Sequence, residues 1–205
     1  MTPSRSVVII DYGMGNLRSI EKAIAAVGGN AMISSDPGVV RGAERLILPG
    51  VGAFGDAMDN LRRNGLEEAV KEAAGKGTPL LGLCLGLQLL FCDSEEFGSH
   101  RGLGIVPGKV RRFDKPGLHV PHVGWNQVES RWPDPLLSGI PEGSYFYFVH
   151  SYFVEPRDDA DAIAWTDYGG RFCSVARRGS AWGVQFHPEK SQEMGKRLLY
   201  NFLRT

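Results

Sequence analysis

The sequence predicts an α/β fold, an open twisted and mostly parallel sheet flanked by helices, with an antiparallel extension in the C-terminal half. Short apolar runs alternate with helical patterns up to about residue 91, which is typical of a parallel sheet covered on both faces. From residue 104 to 185 the pattern changes to strands and turns. The chain also has 27 glycines in 205 residues, nearly twice the average frequency of about 7%. Glycine after a strand lets the backbone approach a ligand closely.

Four buried strands and four helical stretches make up the first half. Each strand is a short apolar run. The third ends at Pro49-Gly50, and the fourth ends in a glycine-rich turn. The predicted strands are 7–10, 31–34, 45–48 and 79–83. The predicted helices are 16–27, two within 54–76 that are separated near Asn64-Gly65, and 85–91.

The second half contributes strands and one terminal helix. The predicted strands are 105–113, 118–129, 144–154, 161–167, 171–177 and 181–186, and the helix is 191–203. No Ser/Gly-rich linker, charge block or internal repeat interrupts the sequence, so we expect a single domain over residues 1–205.

Composition excludes several classes of protein. Hydrophobic residues make up 42% of the chain, and 23 basic residues balance 23 acidic ones, which excludes an intrinsically disordered chain and argues against nucleic-acid binding. No apolar run reaches the length of about 18 residues that a membrane span needs, and the apolar run at the N-terminus is too short for a signal peptide. Three cysteines in a chain of this length do not form a disulfide framework. We therefore expect a cytoplasmic protein.

The strongest chemical motif is Gly82-Leu83-Cys84-Leu85-Gly86. It follows a predicted buried strand and begins a predicted helix, which is the cysteine form of the nucleophile elbow. The flanking glycines avoid clashes, and the helix N-terminus favours the thiolate form of Cys84. The backbone N–H of Leu85 is then available to an oxyanion. A buried structural cysteine in a glycine-rich turn is the alternative.

His187 and Glu189 supply the base and the group that orients it. His187 ends the alternating strand that starts at Trp182, and residues i and i+2 of extended backbone point to the same side. Glu189 can then accept a hydrogen bond from one ring nitrogen while the other faces Cys84. Taken alone, His-Pro-Glu is more often an ordinary turn, but together with the elbow it predicts a Cys-His-Glu triad.

A third glycine-rich segment, Pro49-Gly50-Val51-Gly52, follows the third predicted strand. Backbone N–H groups in such a segment can turn towards an oxyanion beside Cys84. Gly50, Val51 and Gly52 are therefore candidate oxyanion donors with Leu85, although a plain βα turn explains the segment equally well.

Taken together, these motifs resemble the class I, triad-type glutamine amidotransferases. The shared stretches are PGVGAFGDAM (49–58), GLCLGLQLLF (82–91), SEE (94–96) and HPEKS (187–191). Three further stretches resemble, within that class, the glutaminase subunits of imidazole glycerol phosphate synthases: DYGMGNLRS (11–19), PHVGWN (121–126) and YFVHSY (147–152).

This resemblance implies a mechanism and a set of binding residues. Cys84 attacks the side-chain amide of glutamine, His187 transfers protons, and water hydrolyses the resulting thioester. The resemblance places the substrate against Gln88, Glu96, Ser151 and Tyr152. It implies neither a cofactor nor a metal.

The same resemblance implies a partner. Ammonia passes to a separate cyclase subunit, a (βα)₈ barrel, in a heterodimer of the histidine pathway. The predicted contact residues are Asn16, Arg18, Trp125, Asn126 and Lys190.

Other functions agree less well with the sequence. A sister glutaminase serving anthranilate or pyridoxal phosphate synthesis differs only in the partner motifs. A non-catalytic module conflicts with the intact triad, and a cysteine peptidase conflicts with Gln88 and Glu96.

A dinucleotide turn at Gly13-Met14-Gly15 requires a small residue where Arg18 stands. His119 and His122 lack a neighbouring carboxylate or cysteine at ligand spacing. Cys92, expected in the helix after the elbow, and Cys173 are interpreted as packing residues.

Overall fold

A computed structural model describes residues 6–205 and shows an open sheet with helices on both faces. The predicted domain therefore starts five residues before the described part of the chain. The strands of the described part are β1 (Ser6–Ile10), β2 (Asn30–Ser34), β3 (Leu46–Leu48), β4 (Leu80–Leu83), β5 (Phe91–Ser94), β6 (His100–Arg101), β7 (Val106–Arg112), β8 (His122–Ser130), β9 (Ser144–His150), β10 (Tyr152–Pro156), β11 (Ala162–Asp167), β12 (Arg171–Arg178) and β13 (Ala181–Val184). The α-helices are α1 (Leu17–Ala26), α2 (Pro37–Arg41), α3 (Phe54–Arg63), α4 (Leu66–Gly75), α5 (Leu85–Leu89) and α6 (Gln192–Phe202).

The strand order is β2-β1-β3-β4-β13-β12-β10-β7-β5-β6. In this spatial order the five strands from β2 to β13 pair in parallel, and antiparallel pairing begins where β12 joins β13. Further along, β7 and β5 form one more parallel pair. A branch leaves β12 through β11 to β8 and β9. The predicted fold class is therefore confirmed, a parallel half extended by antiparallel strands.

Alternating side chains divide the core into two layers. Val8 and Ile10 of β1 pack on the side of α3 and α4. Val7 and Ile9 of the same strand pack on the side of α1 and α6. Because successive residues of a strand point to opposite faces, one short apolar run contributes to both layers. A parallel sheet held in this way collects the carboxyl ends of its strands along one edge, where sites of this fold class lie.

The predicted helix over 85–91 is wrong at its C-terminal end. Helix α5 stops at Leu89, and Phe91 starts β5, which pairs in parallel with Val106 of β7. Cys92 therefore lies in a strand and not in the helix. A local apolar period cannot reveal that a distant strand captures these residues.

Two predicted strands also need correction. The run 118–129 forms a strand only from His122, because Pro121 has no N–H to donate to a ladder. The run 144–154 is interrupted at Ser151: β9 pairs with β8, whereas β10 pairs with β7 and β12. The short helix α2 was not predicted, although Asp36 caps it and Pro37 occupies its first turn, which together are a recognisable start signal.

Candidate active site

The predicted elbow is formed at the end of β4. Cys84 adopts φ 52° and ψ −108°, a strained backbone conformation for a residue with a side chain. A Cβ on Gly82 would lie 2.5 Å from the Gly86 carbonyl oxygen, and one on Gly86 would collide with the carbonyl oxygen of Leu48. Both glycines are therefore required for the turn to pack against β3 and α5.

Strand pairing brings the nucleophile and the base together. Strand β13 pairs in parallel with β4, with Val184 opposite Leu83, and the N–H of Cys84 donates to the carbonyl of Val184 at 2.8 Å. Cys84 and His187 follow these two neighbouring strand ends, and both line the same cavity of about 360 Å³. The register of one strand pair thus sets both positions.

The predicted contact between His187 and Glu189 is present, but extended backbone does not produce it. Residues Pro188–Lys190 form a 3₁₀ turn, which brings Glu189 Oε1 to 2.8 Å from His187 Nδ1. The N–H of His187 donates to the Tyr147 carbonyl at 2.9 Å. The hydroxyl of Ser191 donates to the His187 carbonyl and accepts from the N–H of Tyr147. The base is therefore anchored to β9 as well as to its own turn.

His187 is poised to carry a proton. Burial lowers its pKa, but the interactions with Cys84 and Glu189 outweigh burial and raise the pKa to about 10. Within the described part of the chain, the buried Nε2 of His187 has no hydrogen-bond partner. The ring thus has one nitrogen held by Glu189 and the other free for the reacting groups.

All four predicted glutamine-holding residues line the cavity with Cys84 and His187: Gln88, Glu96, Ser151 and Tyr152. Glu96 Oε2 accepts the N–H of Phe54 at 2.7 Å. Burial nevertheless raises the pKa of Glu96. A carboxylate in this position offers a counter-charge to the ammonium group of an amino acid.

The candidate oxyanion segment lies beside the elbow. Val51, Gly52 and Leu85 line the cavity, and no hydrogen bond among residues 6–205 uses the N–H of Leu85. Gly50 lies against the start of α5. A Cβ on Gly50 would lie 2.7 Å from the Leu85 Cβ and 2.8 Å from the Gly86 nitrogen. Its lack of a side chain lets the segment pack against α5.

Several residues at the site were not predicted. The buried hydroxyl of Tyr12 donates to the Pro49 carbonyl at 2.8 Å and fixes the start of the 49–52 segment. Burial and, secondarily, the nearby charge of Cys84 raise the pKa of Tyr12. Gln185 Nε2 lies 3.8 Å from Cys84 Sγ. Pro121, Val149 and His150 complete the lining. Gln185 lies two residues before His187 in a strand pattern, and residues i and i+2 of a strand point to the same face. This alternation could have indicated Gln185 as a site residue.

Tyr147 contacts two of the predicted partner residues, Trp125 and Lys190. The Trp125 and Tyr147 rings meet edge to face at 6.1 Å, and the Lys190 ammonium lies 5.7 Å from the Tyr147 ring centroid. We call Trp125, Tyr147 and Lys190 the aromatic face. The aromatic face therefore contains two of the predicted partner residues, Trp125 and Lys190.

The other three predicted partner residues lie apart from that contact. Asn126 turns its amide inwards, donating to the Asp167 carbonyl at 2.8 Å and to His122 Nε2 at 3.3 Å. Asn16 is exposed at the start of α1. Arg18 is exposed and pairs with Glu21 at 2.7 Å.

Residues 6–205 contain neither a cluster suited to a metal ion nor a helix suited to a membrane span. No cluster of three or more His, Cys, Asp or Glu side chains there could hold a metal ion. Over the same residues, no helix is long and apolar enough to cross a membrane.

Comparison with known proteins agrees with this geometry. The family model described as glutamine amidotransferase class-I matches residues 8–205. The chain therefore belongs to the class-I glutamine amidotransferase family.

Two curated relatives share one name. The chain is 51% identical to "Imidazole glycerol phosphate synthase subunit HisH" of Syntrophotalea carbinolica, over 96% of this chain and 98% of that protein. It is 52% identical to the protein of the same name from Moorella thermoacetica, over 97% of this chain and 94% of that one. Among solved structures, "Structure of PurLQS from Thermotoga maritima" aligns with a TM-score of 0.78 at 19% identity, covering 97% of both chains. That last likeness concerns the fold alone.

Proposed function

We propose that this protein is the glutaminase subunit of an imidazole glycerol phosphate synthase. It hydrolyses L-glutamine to L-glutamate and ammonia, and it delivers the ammonia to a separate cyclase subunit in histidine biosynthesis. The observation that carries the proposal is the cavity in which Cys84 and His187 meet the four candidate substrate residues, with Glu189 2.8 Å behind the histidine. The names and identities of the curated relatives support the choice of synthase.

The first half of the reaction makes a thioester. Protonated His187 stabilises the thiolate of Cys84, whose sulfur attacks the amide carbon of glutamine. The negative oxygen that results is met by the N–H of Leu85 and by the 50–52 segment. The carbon–nitrogen bond then breaks, and His187 Nε2 gives its proton to the leaving nitrogen, which departs as ammonia.

The second half regenerates the enzyme. His187, now neutral, takes a proton from a water molecule, which attacks the thioester carbon. The carbon–sulfur bond breaks, glutamate leaves, and the imidazolium–thiolate pair is restored. Glu189 holds Nδ1 throughout and stabilises each imidazolium state.

Recognition of glutamine uses its ammonium group and its other polar groups. Glu96 pairs with its ammonium group, while Gln88 and the backbone at Gly52, Ser151 and Tyr152 hold its polar groups. A zwitterionic substrate needs no net charge on the protein, which agrees with the 23 acidic and 23 basic residues.

The partner is a cyclase of (βα)₈-barrel form in a heterodimer. It docks on the aromatic face, with Asn16, Arg18 and Asn126 at the margin. An exposed tryptophan packed against a tyrosine is typical of protein interfaces, where aromatic residues are enriched. The cyclase binds the anionic nucleotide, so this subunit needs no basic surface. The reducing cytoplasm suits a nucleophile that must remain a free thiol.

The test is release of ammonia from glutamine by the chain alone and with its cyclase. We expect slow hydrolysis by the chain alone and strong acceleration, on the order of 100-fold or more, when the cyclase holds its nucleotide. Full activity of the isolated chain, unchanged by the cyclase, would contradict the proposal.

A further inference from the structure

Two buried histidines lie outside the proposed triad and contact each other, and one of them, His150, also lines the substrate cavity. His122 of β8 pairs across the ladder with His150 of β9. His122 Nδ1 lies 2.9 Å from His150 Nε2, and His150 Nδ1 lies 2.8 Å from the Tyr152 carbonyl oxygen. At the other end, Asn126 Nδ2 lies 3.3 Å from His122 Nε2. We call Asn126, His122, His150 and the Tyr152 carbonyl the histidine relay.

The direction of every hydrogen bond in the histidine relay follows from its last member. A carbonyl oxygen can only accept, so His150 Nδ1 carries a proton and donates it. In a neutral ring Nε2 is then an acceptor, which makes His122 Nδ1 the donor and leaves His122 Nε2 to accept from Asn126. A second proton on His150 would remove the acceptor that His122 needs.

Their surroundings keep both rings neutral and fixed. Burial lowers the pKa of His122 to about 4 and that of His150 to about 3. The His122 ring is stacked against Phe148 and Tyr168, with centroid distances of 4.9 and 3.9 Å. Flipping or protonating either ring therefore carries a cost.

The Tyr152 carbonyl connects the histidine relay to the candidate substrate residues. It also accepts Gln88 Nε2 at 2.9 Å, and the same nitrogen lies 3.2 Å from Gln185 Oε1. Both N–H groups of Gln88 are thereby used. Its Oε1 takes part in no hydrogen bond of the described chain, and Gln88 lines the cavity, so Oε1 is the group offered to a ligand donor.

We propose that His122 and His150 are positioning residues for the glutamine site: the histidine relay fixes the Tyr152 carbonyl, and through it the end of Gln88 that faces the substrate. The inference rests on the proposed glutaminase function. It predicts that loss of the last hydrogen bond weakens glutamine binding while the chemical step, at Cys84 and His187, is spared.

Two substitutions of His150 separate its two nitrogens. In His150→Asn the side-chain nitrogen takes the place of Nδ1 and keeps the bond to Tyr152, whereas in His150→Gln the amide group takes the place of Nε2 and keeps only the contact with His122. We expect His150→Gln to raise the KM for glutamine about 10-fold with kcat changed less than about 3-fold. His150→Asn should keep KM within about 2-fold and lower Tm by a few degrees, since His122 loses its acceptor.

The matching pair at His122 extends the test if His150 variants do not fold. His122→Asn keeps the donor to His150, and His122→Gln removes it. We expect only the glutamine variant to raise KM, by about 3-fold. His119→Gln, at an exposed histidine outside the histidine relay, is the control and should match the wild type.

A second readout avoids dependence on slow turnover. A glutamine analogue bearing an alkylating diazoketone labels Cys84, and its half-saturating concentration should rise in His150→Gln as KM does, with an unchanged maximal rate. Equal KM in both His150 variants and the wild type, or equal increases in both, would overturn the histidine relay. If the wild type neither hydrolyses glutamine nor is labelled, the proposed function itself fails.

Discussion

Glu189 Oε1 lies 2.8 Å from His187 Nδ1, with both side chains almost excluded from solvent, at 5% exposure for His187 and 2% for Glu189. Removal of either partner is costly in this setting, because the remaining charge would stay buried without compensation. The pair directs the free Nε2 of His187 towards the cavity. It also makes the protonation of the base sensitive to a residue that does not touch the substrate.

Replacement of Glu189 by Gln tests that sensitivity through stability. The pKa of His187 is about 10 in the folded chain, above the value of about 6.5 in an unfolded one. The bound proton therefore stabilises the fold fully below about pH 6.5, and this contribution is lost as the pH rises through about 10. Between pH 7 and 10 we expect the wild type to lose more free energy of unfolding than Glu189→Gln, by about 1–3 kcal/mol. Chemical denaturation at a series of pH values measures this difference, and parallel curves would refute the assignment.

Substitutions of Cys84 separate chemistry from backbone strain. Cys84→Ala and Cys84→Gly should each reduce kcat by at least about 10³-fold, because the nucleophile is gone. With φ at 52°, however, glycine fits the turn better than alanine. We expect Cys84→Gly to be more stable than Cys84→Ala by about 1 kcal/mol. Equal denaturation midpoints would mean that the elbow stores no strain.

The packing of the elbow predicts a contrast between two glycines. A methyl group on Gly86 would meet the Leu48 carbonyl, whereas one on Gly75 in the last turn of α4 meets nothing within 4 Å. Gly86→Ala should destabilise the fold by at least about 3 kcal/mol. Gly75→Ala should leave stability unchanged or raise it by up to about 1 kcal/mol. Thermal unfolding of both variants is the measurement, and a mild effect at Gly86 would contradict the close approach of α5 to β3.

Two tryptophans of nearly equal exposure provide a matched test of the aromatic face. Trp125 is 46% exposed and Trp132 is 48% exposed. Trp125→Ala should weaken binding of the cyclase subunit at least 10-fold, as expected for an aromatic residue central to an interface. Trp132→Ala should change the dissociation constant less than about 2-fold. Titration calorimetry distinguishes the two, and equal effects would move the docking site away from the aromatic face.

Local motifs made much of this site predictable. The requirement for glycine on both sides of Cys84 is a property of one turn, and the alternating pattern that starts at Trp182 pointed to His187, three residues beyond the end of β13. The contact with Glu189 was predicted for a wrong reason, since a 3₁₀ turn forms it. The two side chains are as close as predicted, although the backbone between them has a different conformation from the one predicted.

The features that could not be predicted from the sequence are contacts between residues that lie far apart in the chain. The apolar run 144–154 looks continuous, but its two parts pair with different strands, and Ser151 between them lines the cavity. His122 and His150 are 28 residues apart, and only the register of β8 against β9 brings them together. Tyr12 likewise reaches Pro49 across 37 residues.

The pairing of β13 with β4 also sets an order in time. Ribosomes make β4 a hundred residues before β13, so a nascent or truncated chain that ends before Ala181 presents β4 as an open strand edge and has no catalytic base. Only a chain synthesised past Glu189 contains both the nucleophile and the pair that activates it. Copies that lack these residues therefore cannot consume glutamine, and the open edge makes a copy that ends before Ala181 prone to aggregation.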